Sequence, residues 1–187
     1  MRNKDLTRLR ASQIPKARGT VLEVGIGSGL NLSFYTSAVE RIVGIDPSLE
    51  LQRLARQRAA KHNRAVEFLS QPADAAIPLP SSSVDTVVST WTLCTIPDPV
   101  AALREMKRVL RPSGSFLFIE HGHSPEVRVA AWQDRLTPVW KKIAGGCTLN
   151  RPIDTLVQSA GFQIAELETK YLPGPRPMTH TFIGVAQ

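Results

Sequence analysis

Short apolar runs alternate with segments of helical period along most of the chain. Residues 20–24 read as a first strand, 30–35 as a short helix and 41–45 as a second strand. Pro47 at a first-turn position, followed by Leu51, Leu54 and Ala55, predicts a helix over residues 48–61. Val66–Leu69 is a brief third strand. A polar, proline-containing loop over residues 70–83 leads into a fourth strand, Val84–Thr90. Pro99 opens a helix with Val100, Leu103, Met106 and Leu110 on one stripe, and Pro112-Ser113-Gly114 turns into a fifth strand at residues 115–120. Val127–Ile143 reads as a helix that Pro138 should kink. Residues 152–160 form a last helix ended by Gly161, and residues 162–169 and 179–186 are a closing pair of strands. Such alternation predicts one α/β domain, a mostly parallel sheet with helices on both faces.

Composition bounds the class. The chain has 187 residues, 42% hydrophobic and 21% charged, which suits a single compact domain that needs neither disulfides nor metals for stability. Cys94 and Cys147 stand in no C-x-x-C or Cys/His cluster of the sequence, so no metal is expected and both are read as reduced thiols of a cytoplasmic protein. No apolar stretch approaches ~20 residues, and no secretion signal is evident. The formal charge of +7 is uneven: residues 1–18 carry Arg2, Lys4, Arg8, Arg10, Lys16 and Arg18 against Asp5. This basic leader reads as a solvated, partly frayed terminal helix, set apart from a domain over residues 19–187. Its short apolar stripe allows only weak, reversible peripheral contact with an anionic membrane. The remainder is near neutral, so nucleic acid is not an expected partner; the oligomeric state is left open.

The chemistry begins at V-L-E-V-G-I-G-S-G, residues 21–29, where an apolar run ends in glycines at alternate positions. Glycines at 25, 27 and 29 let the backbone turn and approach a ligand closely. The second strand stops at Asp46, placed to accept hydrogen bonds from a ribose diol. A dinucleotide fingerprint would need a third glycine at position 30 or 32, where Leu30 and Leu32 stand. The unit is a nucleoside-binding half-site of another kind.

E-x-G-x-G-x-G from Glu23 resembles motif I of class I S-adenosylmethionine (SAM) methyltransferases. V-D-T-V-V-S-T-W-T-L-C-T-I-P-D-P and A-L-R-E-M-K-R-V-L-R-P-S-G-S-F-L-F-I-E-H resemble the motif II to motif III stretch of the ubiquinone/menaquinone-biosynthesis-like branch, so the likeness spans residues 19–121. It implies a Rossmann-like, seven-stranded fold with an antiparallel C-terminal strand. It also implies SAM as cofactor, with Gly25, Gly27 and Gly29 against its methionine part, Asp46 and Pro47 at the ribose, and Ala73-Asp74 near the adenine. Relatives commonly show glycine where this chain has Gln71-Pro72. I-E-H-G-H-S-P, W-Q-D-R-L-T-P-V-W-K, G-G-C-T-L-N-R-P and L-P-G-P-R-P are similar to small bacterial relatives of the membrane-associated alkyl-thiol S-methyltransferases of animals. This implies a small acceptor, a thiol first and a phospholipid or other amine second; the animal proteins' apolar anchor is not found here.

Glu23 either bonds loop amides or reaches toward the amino group of SAM, and Thr90 and Trp91 fall at the end of the fourth strand, in cofactor reach. Candidates on the acceptor side stand at the carboxyl ends of the strands, where open α/β sheets hold ligands. Trp91 either walls the pocket or packs in the core. His121 either orients the substrate and takes its proton or is a hydrogen-bonded structural histidine; His123 is a weaker candidate of the same kind. Cys147 reads as a small buried residue, and Trp132 and Trp140, eight apart, as one helical face. A thiol needs no strong base, since at a pKa of ~8.5 a few per cent is already thiolate at neutral pH. Competing readings lack their residues. No Tyr-x-x-x-Lys supports a short-chain dehydrogenase, and Ser89-Thr90-Trp91-Thr92 replaces the clamp of a nucleobase methyltransferase. A SAM-binding scaffold without activity is the remaining non-enzymatic alternative.

Overall fold

The computed structural model describes residues 4–187; Arg2 of the basic leader lies outside the described residues. The elements in chain order are α1 (Lys4–Gln13), β1 (Gly19–Val24), β2 (Val39–Ile45), α2 (Leu49–Lys61), β3 (Val66–Leu69), β4 (Val84–Thr90), α3 (Pro99–Val109), β5 (Leu110–His121), α4 (Val127–Ile143), α5 (Ile153–Ser159), β6 (Ile164–Tyr171) and β7 (His180–Ala186). They build one seven-stranded sheet of order β3-β2-β1-β4-β5-β7-β6. The first five strands run parallel, and β7 lies antiparallel between β5 and β6. This is the expected α/β architecture.

Alternation along the strands sends side chains to two cores. Leu22 and Val24 of β1 face a cluster with Leu103 and Met106 of α3 and Val157 of α5. Val21 faces the other side, with Ile14, Leu32, Tyr35 and Ala59 of α2. Both faces are therefore covered, as a parallel sheet requires. The order reverses between β1 and β4, so the loops at the carboxyl ends of β1, β2 and β4 border a crevice of the kind that holds ligands in open α/β sheets.

Three local expectations are corrected. Residues 30–35 form no helix; Gly29, Leu32 and Phe34 donate to the carbonyls three residues before them, a chain of tight turns. The segment is too short to repay helix nucleation, and the side chains of Asn31 and Tyr35 are committed to Glu23 (3.0 and 2.7 Å). Leu110 already pairs with Val84 and the next pair is Ser115–Thr86, so Pro112-Ser113-Gly114 is a bulge inside β5 rather than a turn before it. The basic leader is not a solvated appendage. In α1, Leu9, Arg10 and Gln13 are buried, Gln13 Nε2 donates to the Gly184 carbonyl at 2.6 Å, and Ile14 is fully enclosed.

Candidate functional site

Each glycine of the loop after β1 has a different task. The amides of Gly25 and Ile26 both donate to the Ile45 carbonyl (2.8 and 3.1 Å), tying the loop to the end of β2. Gly25, at φ +68°, leaves the room that the Thr92 side chain fills. Gly27, at φ +52°, has no atom closer than 3.8 Å on its Cβ side and borders the crevice. Gly29 does not line the crevice. A Cβ there would stand 2.7 Å from Leu32 Cδ1 and 3.1 Å from Ala55 Cα, so it is a packing glycine against α2. Its Cβ side is thus taken up by packing.

The crevice has a polar half and an apolar half that share Asp46 and Leu51. Asp46 is buried. Its Oδ2 accepts the Gly27 amide at 2.9 Å and its Oδ1 the Ser48 amide at 2.8 Å. Each oxygen keeps lone-pair capacity toward the crevice, the requirement for holding a diol. The cap of α2 is Ser48, whose hydroxyl accepts from Leu51 N at 3.3 Å, so Asp46 is not spent as a helix cap. Pro47, Ala73 and Asp74 line the apolar half with Pro72, Ile96 and Pro97. Asp74 Oδ2 accepts the Asp98 amide at 3.2 Å.

Glu23, Thr90 and Trp91 line the polar half, together with Arg10 and Asn31, which sequence reasoning did not single out. Asn31 Nδ2 donates to Glu23 Oε1 (3.0 Å) and Thr90 Oγ1 (3.1 Å), and its Oδ1 accepts Arg10 Nε at 3.0 Å. Tyr35 donates its hydroxyl to the other Glu23 oxygen. Burial pushes the Glu23 carboxyl up to about 7; the Tyr35 and Asn31 donors and the Arg10 charge oppose that rise without cancelling it. The same burial holds the Tyr35 hydroxyl well above its ordinary range. A negative and a positive group thus face the same space, suited to a ligand carrying both an ammonium and a carboxylate.

Trp91 stands where β4 ends, at φ +52°, a left-handed conformation unusual for a bulky residue and often kept at functional sites. The Arg10 guanidinium lies 4.7 Å from its ring centroid. Glu120, fully buried in β5, holds this turn. Its carboxylate accepts from Ser89 Oγ (2.7 Å), the Thr92 amide (2.9 Å) and the Leu93 amide (3.2 Å). Burial raises the Glu120 carboxyl to about 7 against those donors. The sequence offered one sign of it, a carboxylate closing the apolar run 116–119.

Trp91 also borders a second cavity of ≈ 240 Å³, lined by Leu6, Cys94, His121, Trp140, Cys147, Leu149, Leu172 and Met178. His121 Nε2 lies 3.3 Å from Cys147 Sγ. The donor atoms of Cys94, His121 and Cys147 all fall within 4.8 Å of one another, although the sequence shows no such cluster. Shared hydrogen bonding with Cys94 draws the Cys147 thiol far below its usual value and pushes that of Cys94 far above; His121 and Trp140 add to the fall at Cys147. Other candidates fall elsewhere. His123 borders a separate cavity with His180 and Asp154. Trp132 is 55% exposed beneath Arg135, so only Trp140 of the pair reaches the cavity.

Residues 22–118 match the family described as methyltransferase domain. Thiol S-methyltransferase TMT1B of Rattus norvegicus is 34% identical over 181 residues, covering 89% of this chain and 74% of that protein. The chain belongs to the SAM-dependent methyltransferases. Phosphatidylethanolamine N-methyltransferase of Cereibacter sphaeroides is 33% identical over 115 residues, 61% of this chain and 56% of that protein. A solved SAM-dependent methyltransferase from Methanosarcina mazei shares the fold, with a TM-score of 0.68 at 22% identity, over 90% of this chain and 91% of that one. The cofactor of this methyltransferase is therefore SAM, and the crevice fits its chemistry: a carboxylate with spare lone pairs for the ribose, and opposite charges for the methionine end.

Proposed function

We propose that this methyltransferase moves the SAM methyl group to the sulfur of a small hydrophobic thiol. One observation carries the reading. An apolar cavity adjoins the cofactor crevice across Trp91 and contains an imidazole with two thiols, but no carboxylate among its lining residues. A hydroxyl acceptor would need a dedicated base, whereas a thiol needs orientation and a modest proton acceptor. The 34% identity to a protein named as a thiol S-methyltransferase supports the same choice.

Bound SAM supplies a methyl group already activated by its sulfonium. Asp46 holds the ribose hydroxyls, and Pro47, Ala73 and Asp74 flank the adenine. Glu23 faces the ammonium and Arg10 the carboxylate of the methionine end, while Gly25 and Gly27 keep the loop close. Trp91, which lines both spaces, flanks the meeting point of donor and acceptor and fixes the line of attack. Collinear positioning of this kind is worth up to ~7–11 kcal/mol of barrier. His121 orients the thiol and takes its proton, and Leu149, Leu172 and Met178 hold the apolar tail.

A second reading, N-methylation of a phospholipid amine, draws on a surface feature. Trp132, Val139 and Ile143 of α4 are 55%, 63% and 73% exposed, and their spacing places them on one helical face beside Arg135 and Lys142. That face, rather than the packed leader, would meet an anionic bilayer.

One experiment separates the two. The protein is incubated with methyl-labelled SAM and either alkyl thiols, amines, phenols or phosphatidylethanolamine in anionic vesicles. Label should appear as thioether, with His121→Ala lowering kcat and leaving SAM affinity intact. Label in the lipid and none in any thiol would replace the first reading with the second.

A further inference from the structure

We propose that Cys94, His121 and Cys147 form a zinc-type divalent-cation site whose open fourth position takes the sulfur of the acceptor. The cation site stands on geometry alone; the identity of its fourth ligand rests on the thiol reading above.

The three donor atoms lie within 4.8 Å of one another, with Cys147 Sγ 3.3 Å from His121 Nε2. Ligand atoms around a tetrahedral zinc, at bonds of ~2.0–2.3 Å, are themselves roughly 3.3–3.8 Å apart. One pair already meets that spacing, and the others need converge by about 1 Å or less.

Two thiols and one imidazole select a soft or borderline cation, and three protein ligands with one position left over are the arrangement of catalytic rather than structural zinc. The three residues reach the point from separate segments whose backbones are tied. Thr148 N donates to the Cys94 carbonyl at 2.9 Å, which fixes the loop after α4 against the turn after β4. His121 ends β5, paired with Thr181.

Trp140 Nε1–H, buried and without a full hydrogen bond, lines the same cavity close to Cys147. A thiolate held at Cys147 completes that contact, of the outer kind that tunes a metal-bound sulfur. Two thiolates neutralise a divalent charge. The fourth face opens to the cavity beside Trp91.

The step balances without oxidant or reductant. Cation binding releases the protons of Cys94 and Cys147 to solvent. The acceptor thiol binds at the open position and gives its own proton to solvent, because a coordinated thiol is deprotonated outright. Its sulfur lone pair forms the new S–CH3 bond as the bond from that methyl to the sulfonium sulfur breaks, leaving the electron pair on the cofactor sulfur. The product thioether is a neutral, weaker ligand and departs. In the loaded protein His121 is thus a ligand, and the cation takes over activation of the thiol.

The test uses the full chain, reduced and stripped by chelator, then titrated anaerobically with Co(II) as a coloured stand-in for zinc. We expect one equivalent bound, with thiolate-to-cobalt charge-transfer absorption in the near ultraviolet, tetrahedral bands in the visible, and displacement by Zn(II). An added alkanethiol should shift those bands. Cys147→Ser, on a half-buried loop, should lose most of the charge-transfer intensity, and His121→Gln should weaken binding while leaving the SAM titration unchanged. Absence of stoichiometric binding, or an unaltered spectrum in both variants, overturns the site. Bands indifferent to alkanethiol overturn the fourth-ligand assignment. Equal thiol methylation by stripped and loaded protein overturns the cation's part in activating the acceptor and leaves the thiol reading standing; a loaded site with label found only in amines overturns the thiol reading and leaves the cation site standing.

Discussion

The cofactor crevice and the cavity proposed for the acceptor share Trp91 but are built on opposite plans. The crevice draws mostly on short contiguous stretches, residues 23–31, 45–51, 72–74 and 90–97, with Arg10 added from α1, and its carboxylates are each matched by amide, hydroxyl or side-chain amide donors. The cavity collects single residues from α1, the turn after β4, the end of β5, α4, the loop beyond α4 and the segment before β7, with apolar walls around three soft donors. The first plan fixes a ligand that never changes, so its geometry can be written into one loop and one strand end. The second leaves each wall residue free to vary separately, which suits a protein that must select an acceptor. Glu120 spans both, because the turn it holds carries Thr92 toward the crevice, Cys94 toward the cavity and Trp91 between them.

Glu120→Ala should break the contrast by damaging both sides. Ser89 Oγ and the Thr92 and Leu93 amides would lose their acceptor in a buried setting. At about 1–3 kcal/mol for each stranded group, with partial relaxation, the expected loss of stability is about 3–5 kcal/mol. Urea denaturation would report it, and Glu120→Gln should recover part. Loss of stability with SAM and thiol binding both untouched would show that the turn positions neither compartment. Asp46→Ala should sharpen the contrast instead. Losing hydrogen bonds to a charged acceptor costs about 1.5–3 kcal/mol, or about 10–100-fold in SAM affinity by calorimetry. The KM for thiol at saturating SAM should not move; a parallel rise would mean that the compartments are not separable.

What the sequence made legible follows the same division. The strands of the sheet, Asp46 at the end of β2 and the glycine loop are local patterns, readable because period and spacing act over a few residues. The packing of Gly29 against Ala55 was not readable, since the two meet only when α2 folds back onto the loop. Arg10 was counted as leader charge, yet the burial of Leu9 and Ile14 pulls its guanidinium over Trp91 and beside Glu23. Cys94, His121 and Cys147 belong to motifs far apart in the chain, so no spacing rule could join them; sheet order and the Thr148–Cys94 hydrogen bond do. Glu120 hid because a carboxylate at the end of an apolar strand reads as a boundary, whereas here it is the acceptor for a neighbouring turn.

The smallest expected effect tests the polar side alone, through the proton on Glu23. Burial raises this carboxyl from its ordinary 4.5 to about 7. A raised acid binds more protons folded than unfolded, so its stabilising contribution is complete below about 4.5 and fades as pH climbs toward 7. The ammonium of SAM favours the ionised form, so binding should expel a proton wherever Glu23 is still protonated. SAM affinity should rise between pH 6 and 8 by up to about tenfold, the span of one pKa unit. Calorimetry in buffers of different ionisation enthalpy should find a fraction of a proton released near pH 6.5 and almost none at pH 8.5. In Glu23→Gln both the release and the pH slope should vanish, since the amide cannot titrate. Persistence of the slope in that variant would assign the proton to another group and remove Glu23 from the ammonium's side of the crevice.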